Sequence, residues 1–156
     1  IHDDTRVFTR SGFTYETFQK SLFALPALSI KVIVHLILGL PHETREMMSA
    51  SVQAIANLPV WGIKLQLLHV LSGTDLAAYY EKTHFPVFSM DEYCEMIIDC
   101  LELQPPEMVI HRITGDGPKD LLIAPMWSTG KRTVLNQIHR RLKERNTYQG
   151  RLATKR

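Results

Sequence analysis

Cysteine is scarce in this sequence: Cys94 and Cys100 are the only two among 156 residues. They stand six apart in a helix-like segment, on roughly opposite faces of a 3.6-residue turn, so they neither pair nor chelate together. A disulfide scaffold is excluded, no CxxxCxxC ligand motif is present, and the two read as small buried hydrophobes. No apolar run is long enough to span a bilayer, and the opening "IHDDTRVFTRSGFTYETF" has neither the charged nor the apolar region of a signal peptide. We therefore expect a cytoplasmic chain with no membrane partner, and the start at Ile1 instead of Met suggests a piece of something longer. The stretch "GDGPKD" lacks the GxxxxGK[ST] spacing of a phosphate-cradling loop, which argues against nucleoside triphosphate binding.

What is present suits one ordinary globular domain, since 45% hydrophobic and 22% charged residues are too apolar a mixture for a disordered chain. The net charge of +2 hides an asymmetry. Ser128 to Arg156 holds nine Lys/Arg and one acid, whereas Ile1 to Trp127 holds nine Lys/Arg and fifteen acids. A basic segment on an acidic body attracts nucleic-acid phosphates through counterion release, which makes RNA a candidate partner. A solvated helix face carrying Arg140, Arg141, Lys143 and Arg145 is the simpler explanation, because no aromatics for base stacking are interleaved among those cations.

Along the chain, apolar runs alternate with helical patterns. Thr14 is placed to cap a helix through "YETFQKSLFAL", which Pro26 ends or bends. Lys31 to Leu38 ("KVIVHLIL") reads as a strand buried on both faces. A helix over Thr44 to Leu58 follows, stopped by Pro59, and Gly62 to Leu71 is a second strand. "TDLAAYYEK" is a short helix, and "SMDEYCEMIIDCLELQ" a longer one whose Ser89 and Glu92 have capping-box spacing. Met108 to Thr114 is a short third strand, and "GDGPKDLLIAPMW" a loop leading to a helix over Ser128 to Arg145. Strands alternating with helices of this length imply a parallel α/β sheet or a segment of a barrel, and three strands are few for either.

The three strands share an ending: "HLILG", "HVLSG" and "HRITG" all read His-x-x-x-Gly. With a side-chain period of two, His35, His69 and His111 at equal distances from strand ends are expected on one face and in one layer. Ligands of parallel α/β folds bind at C-terminal strand ends, and the glycines permit sharp turns or close approach. Each histidine alone reads equally as a hydrogen-bonded core residue, and neutral imidazoles ligate metals, shuttle protons or donate hydrogen bonds. Asp116 and Asp120 lie near the third strand, placed to orient a histidine or pair with Arg112 or Lys119, or simply to decorate a surface loop.

"VHLILGLPHETRE", "GIKLQLLHVLSGTDLAAYYE" and "VIHRITGDGPKDLLIAPMWSTGKRTVLN" together resemble the C-terminal half of a radical SAM protein of the YhcC-like subfamily, related to the Elongator-type radical SAM enzymes. The resemblance implies parallel βα units forming the second half of a partial TIM-like barrel over residues 1–104, with a C-terminal extension and basic helix over 105–156. It implies S-adenosylmethionine and a four-iron, four-sulfur cluster as cofactors of a full-length parent, whose radical chemistry belongs to those cofactors and whose protein supplies placement. Lys31 to Leu38 is similar to the fifth barrel strand and Gly62 to Leu71 to the sixth. By that likeness Ile37, Gly39 and Leu40 contact the adenine, and Val70 and Leu71 offer backbone groups to its edge. His35, His69 and His111 are then the expected catalytic contacts, and Arg112 and Asp116 the expected substrate contacts.

The sequence departs from the resemblance in three places. The cysteine motif is missing, so these residues alone are not expected to assemble the cluster or to catalyse. His42 replaces the usual glycine of Gly-Leu-Pro-Gly-Glu-Thr, and "RSGF" replaces Arg-Gly-His. With half a barrel missing, the first strand would be an exposed, association-prone edge. Two other functions stay open: a metal-dependent hydrolase using strand-end histidines, and a non-catalytic α/β interaction domain.

Overall fold

The structure, a computed structural model, describes residues 1–25, 28–115 and 117–153. Two short helices come first, α1 (Asp3–Phe8) and α2 (Tyr15–Ala24). Thr14 starts α2 as expected, its hydroxyl oxygen accepting from the Thr17 amide. Pro26, expected to end or bend this helix, lies outside the described residues.

Strand β1 (Ile33–Leu38) leads into helix α3 (Arg45–Ala56), capped by Thr44 through a bond from the Met47 amide. Strand β2 (Gly62–Leu67) lies parallel to β1 in a register that sets His35 opposite Lys64 and Ile37 opposite Gln66. Then come β3 (Val70–Leu71), α4 (Asp75–Thr83), α5 (Met90–Leu103), β4 (Val109–Arg112), β5 (Leu122–Ala124) and α6 (Lys131–Glu144). The capping box expected at α5 is formed: Ser89 accepts from the Glu92 amide while the Glu92 carboxylate accepts from the Ser89 amide. β1, β2 and β4 make a parallel sheet in that spatial order, and β3 and β5 pair separately and antiparallel.

One side of the parallel sheet carries the core. Ile63, Leu65 and Leu67 of β2 are almost fully buried, and with Leu38 they meet Val52 of α3, Ile97 of α5 and Ile138 of α6. The other side of β1 is open: His35 and Ile37 are exposed, which corrects the expectation of a strand buried on both faces. β1 is an edge strand, and its outward face carries no packed helix to cover those two residues.

The second strand is shorter than expected. Leu67 and Leu68 are both buried although they are consecutive, which breaks the period of two. The chain bends there: the Leu68 amide makes its bond to Leu38 at 2.9 Å, and Val70 then enters a second apolar cluster with Leu68, Ala77, Phe85 and Ala124. The expected loop after the third strand contains β5, the partner of β3, and a 3-10 turn at Met126–Thr129, so α6 begins at Lys131 and not at Ser128. The position 104/105 falls between α5 and β4, and β4 lies beside β2 in the same sheet.

Helix α6 packs on α5 with Val134 and Ile138 inward. Arg141 pairs with Asp91 and Glu95, and Arg145 with Glu95, Asp99 and Glu102. Two of the four cations expected on a solvated face are therefore turned onto an acidic row of α5. No helix among the described residues is long and apolar enough to cross a membrane.

Candidate functional site at the open sheet face

Alternation along β2 places Lys64 and Gln66 on the face opposite the core. His35 shares that face through its pairing with Lys64, and its Nε2 is 2.8 Å from Gln66 Oε1. Lys64 is also the cross-strand partner of Arg112 in β4. The ladder is irregular there, and the additional residue on β4 is His111, whose Cδ2 lies 3.2 Å from where a Cβ on Gly62 would stand. The His111 ring meets Trp61 edge-on at 5.3 Å, and the Lys31 ammonium sits 4.7 Å from the Trp61 ring centroid. One sheet face thus carries His35, Gln66, Lys64, His111 and Arg112.

The expectation of three histidines in one layer is half met. His35 and His111 lie on this face within one residue of the same cross-strand level. His69 does not join them, because β2 ends at Leu67 and His69 occupies the bend beyond it. Its ring packs under the following loop: a Cβ on Gly115 would stand 2.3 Å from His69 Cε1, and one on Gly117 3.0 Å from Nδ1. The common His-x-x-x-Gly spacing misled because the glycine follows the strand end by a different interval in each case. Asp116 lies outside the described residues.

At the end of β1, Gly39 has φ +87°, and a Cβ there would meet Phe88 at 3.0 Å. His42 adopts φ +68°, the left-handed conformation that glycine takes without cost. Its Nε2 is 3.0 Å from the Tyr79 hydroxyl, and Phe8 packs edge-on against both rings, tying α1, the turn and α4 together. Ile37 and Leu40 line a groove of about 460 Å³ between β1 and the N-terminal segment, along with Tyr15, Phe18 and Glu43. Burial raises the Glu43 carboxyl pKa above its ordinary value, against the opposing bond from Thr5 and the charge of His2. Val70 and Leu71 lie elsewhere, in the β3–β5 ladder, with the Val70 side chain fully buried.

These residues suit the two expected cofactors unequally. The apolar wall made by Ile37 and Leu40 matches an adenine face. The cysteines do not match an iron–sulfur cluster: both are fully buried in α5, and burial pushes the Cys94 thiol up to about 11 and the Cys100 thiol up to about 12. A metal ligand is a thiolate, which such surroundings disfavour. Among the described residues no group of three or more His, Cys, Asp and Glu side chains is placed to hold a metal ion.

Sequence reading missed Lys64 and Gln66, though the signal was present: in "GIKLQL" the polar residues alternate with buried Ile63, Leu65 and Leu67. It also missed the Phe8, His42 and Tyr79 cluster, which no local pattern announces.

Residues 60–144 match the family described as Radical_SAM C-terminal domain. The chain is 42% identical over 150 residues to the uncharacterized protein YtqA of Bacillus subtilis, covering 96% of this chain and 47% of that protein. It is 27% identical over 143 residues to YhcC of Escherichia coli, covering 92% of this chain and 46% of YhcC. The chain thus spans about half the length of the curated relatives it matches. In fold it is similar to archaeal Methanocaldococcus infernus Elp3 with an N-terminal deletion, with a TM-score of 0.80 at 18% identity over 96% of this chain and 35% of Elp3.

Proposed function

This chain belongs to the Radical_SAM C-terminal domain family, and from that premise we propose that it is the second half of a radical SAM enzyme whose interior is completed by residues outside it. One observation carries the reading: helices cover one face of a three-stranded parallel sheet, and the opposite face is open and polar. That is the arrangement of barrel strands whose lumen side awaits the rest of the wall. S-adenosylmethionine and a four-iron, four-sulfur cluster would supply a 5'-deoxyadenosyl radical for hydrogen abstraction when bound to the parent.

The contributions of this chain are placement and enclosure. Ile37 and Leu40 give the adenine an apolar wall, and the left-handed turn at Gly39 lets the chain leave the strand without a side chain in the way. Val70 and Leu71 would meet the adenine edge through backbone groups. His35, held by Gln66, and His111, held against Trp61, face the substrate, together with Arg112 and Asp116. His69 acts from below the loop that begins at Gly115. The edge of β1 takes up the neighbouring strand of the parent, so the isolated chain associates through it.

The test is anaerobic reconstitution of the full-length parent with iron and sulfide, followed by chemical reduction in the presence of S-adenosylmethionine. Formation of 5'-deoxyadenosine supports the reading; a protein that binds a cluster but never cleaves S-adenosylmethionine overturns it. RNA as the substrate is a second reading, favoured by Arg132, Arg140 and Lys143, which remain exposed on α6 although Arg141 and Arg145 are engaged with α5. Neutralising those three would flatten the salt dependence of RNA affinity by about 0.7 to 0.9 log units per charge if each meets a phosphate. An unchanged slope removes the RNA reading.

A further inference from the structure

Lys64 and Arg112 are direct cross-strand partners on the open face, both half-buried. Like charges opposite each other in a sheet repel, and an ammonium in the middle of a strand is costly once its face is enclosed. Lys64 enters no ion pair with another described residue. The groups around it are hydrogen-bonding but not anionic: His35 and Gln66 bonded to each other at 2.8 Å on one side, and His111 on the other.

We propose that Lys64 is a substrate-recognition residue, binding an oxyanion group of the substrate, a phosphate or a carboxylate, between itself and Arg112. The proposal rests on the reading that this face lines the interior of the parent, and it deepens that reading by naming the substrate class. An oxyanion seated between the two cations removes their repulsion. The pair formed by His35 and Gln66 offers it a neutral hydrogen-bonding wall at the neighbouring position. The ammonium supplies a point charge that suits either oxyanion, and the guanidinium a planar fork that suits both.

The experiment uses the full-length parent, oxidised and without S-adenosylmethionine, so that its outcome is separate from any failure to form 5'-deoxyadenosine. The rate of Lys64 acetylation by acetic anhydride is followed by peptide mass spectrometry, with inorganic phosphate, with acetate, and with chloride at matched ionic strength. We expect phosphate or acetate to slow the reaction ~10-fold beyond chloride at ten times its dissociation constant, as site occupancy requires. Protection by phosphate assigns a phosphoryl group, and protection by acetate alone assigns a carboxylate. Equal rates in all three salts overturn the proposal. So does a Lys64 that is unreactive from the outset, since its charge is then already held by the protein. As a second measurement, phosphate binding by calorimetry should be lost in Lys64→Gln and retained in Lys64→Arg; retention in both variants also overturns the assignment.

Discussion

Arg145 of α6 donates both terminal nitrogens to a single carboxylate oxygen of Asp99 on α5, each at 3.0 Å. The other oxygen of Asp99 accepts from Arg45 at the start of α3, so one carboxylate ties together three helices that cover the sheet. About a third of each of the Asp99 and Arg145 side chains is exposed. Solvent screening therefore holds the interaction near the surface-pair range, and Asp99→Asn should cost about 1 kcal/mol. In a chain of this size that lowers the melting temperature by about 2 to 4 °C. The difference from wild type should shrink in concentrated salt, and a loss indifferent to salt would argue that packing, not charge, is at stake.

At the end of β1 the backbone demands positive φ at two nearby residues, Gly39 and His42. His42 tolerates it with the help of the Tyr79 hydroxyl. In His42→Gly the conformational relief, about 1 kcal/mol, offsets the lost hydrogen bond of similar size, so stability should change by less than ~0.5 kcal/mol. His42→Val removes the bond and puts a β-branched residue in the left-handed region, and should cost about 2 kcal/mol or more. Urea unfolding of the two variants decides; equal losses would mean the turn does not depend on φ at this position.

His69 and Gly115 form a tight pair, since any Cβ at 115 lands 2.3 Å from the imidazole. Gly115→Ala should destabilise by about 1 to 3 kcal/mol through overpacking. In the double variant His69→Ala with Gly115→Ala the clash is gone, so the alanine at 115 should cost much less than it does alone. A coupling of at least ~1 kcal/mol in the double-mutant cycle is expected. Simple additivity would show that the loop moves away without strain.

How legible these features were follows from their range in the chain. The helix starts at Thr14, Thr44 and Ser89 were readable because capping is settled within three residues. The sheet was readable because Ile63, Leu65 and Leu67 repeat at the period of a strand. The bend at Leu68 was not, since two consecutive buried leucines look like a continuing apolar strand until it is known that they enter different clusters. The site was readable where one strand sufficed, as for His35 and Arg112. It failed where the register between strands decided, as for the Lys64 and Arg112 pairing and the exclusion of His69 from the shared face. The turning of Arg141 and Arg145 onto α5 was hidden for the same reason: charge counted along the chain does not say which helix faces which.

Burial of Cys94 and Cys100 sets a direction for alkaline stability. Each thiol ordinarily titrates near 9, and in the fold they are pushed up to about 11 and about 12. The folded state therefore holds protons that the unfolded state releases first. Their contribution to stability is fully present below pH 9 and is lost as the pH rises through the folded values. Tyr93, buried beside them and also shifted upward by burial, acts in the same direction above its ordinary value of 10. The urea midpoint should accordingly fall between pH 8.5 and pH 10.5, an interval of about two units that spans thiol but little phenol titration. Cys94→Ala with Cys100→Ala, though less stable at neutral pH, should show a smaller fall. At pH 8 the native thiols should resist a disulfide reagent that labels both at once in urea. Rapid labelling of the native chain would mean that α5 opens readily, and the helix could not then serve as the rigid backing on which the sheet positions Lys64 and His35.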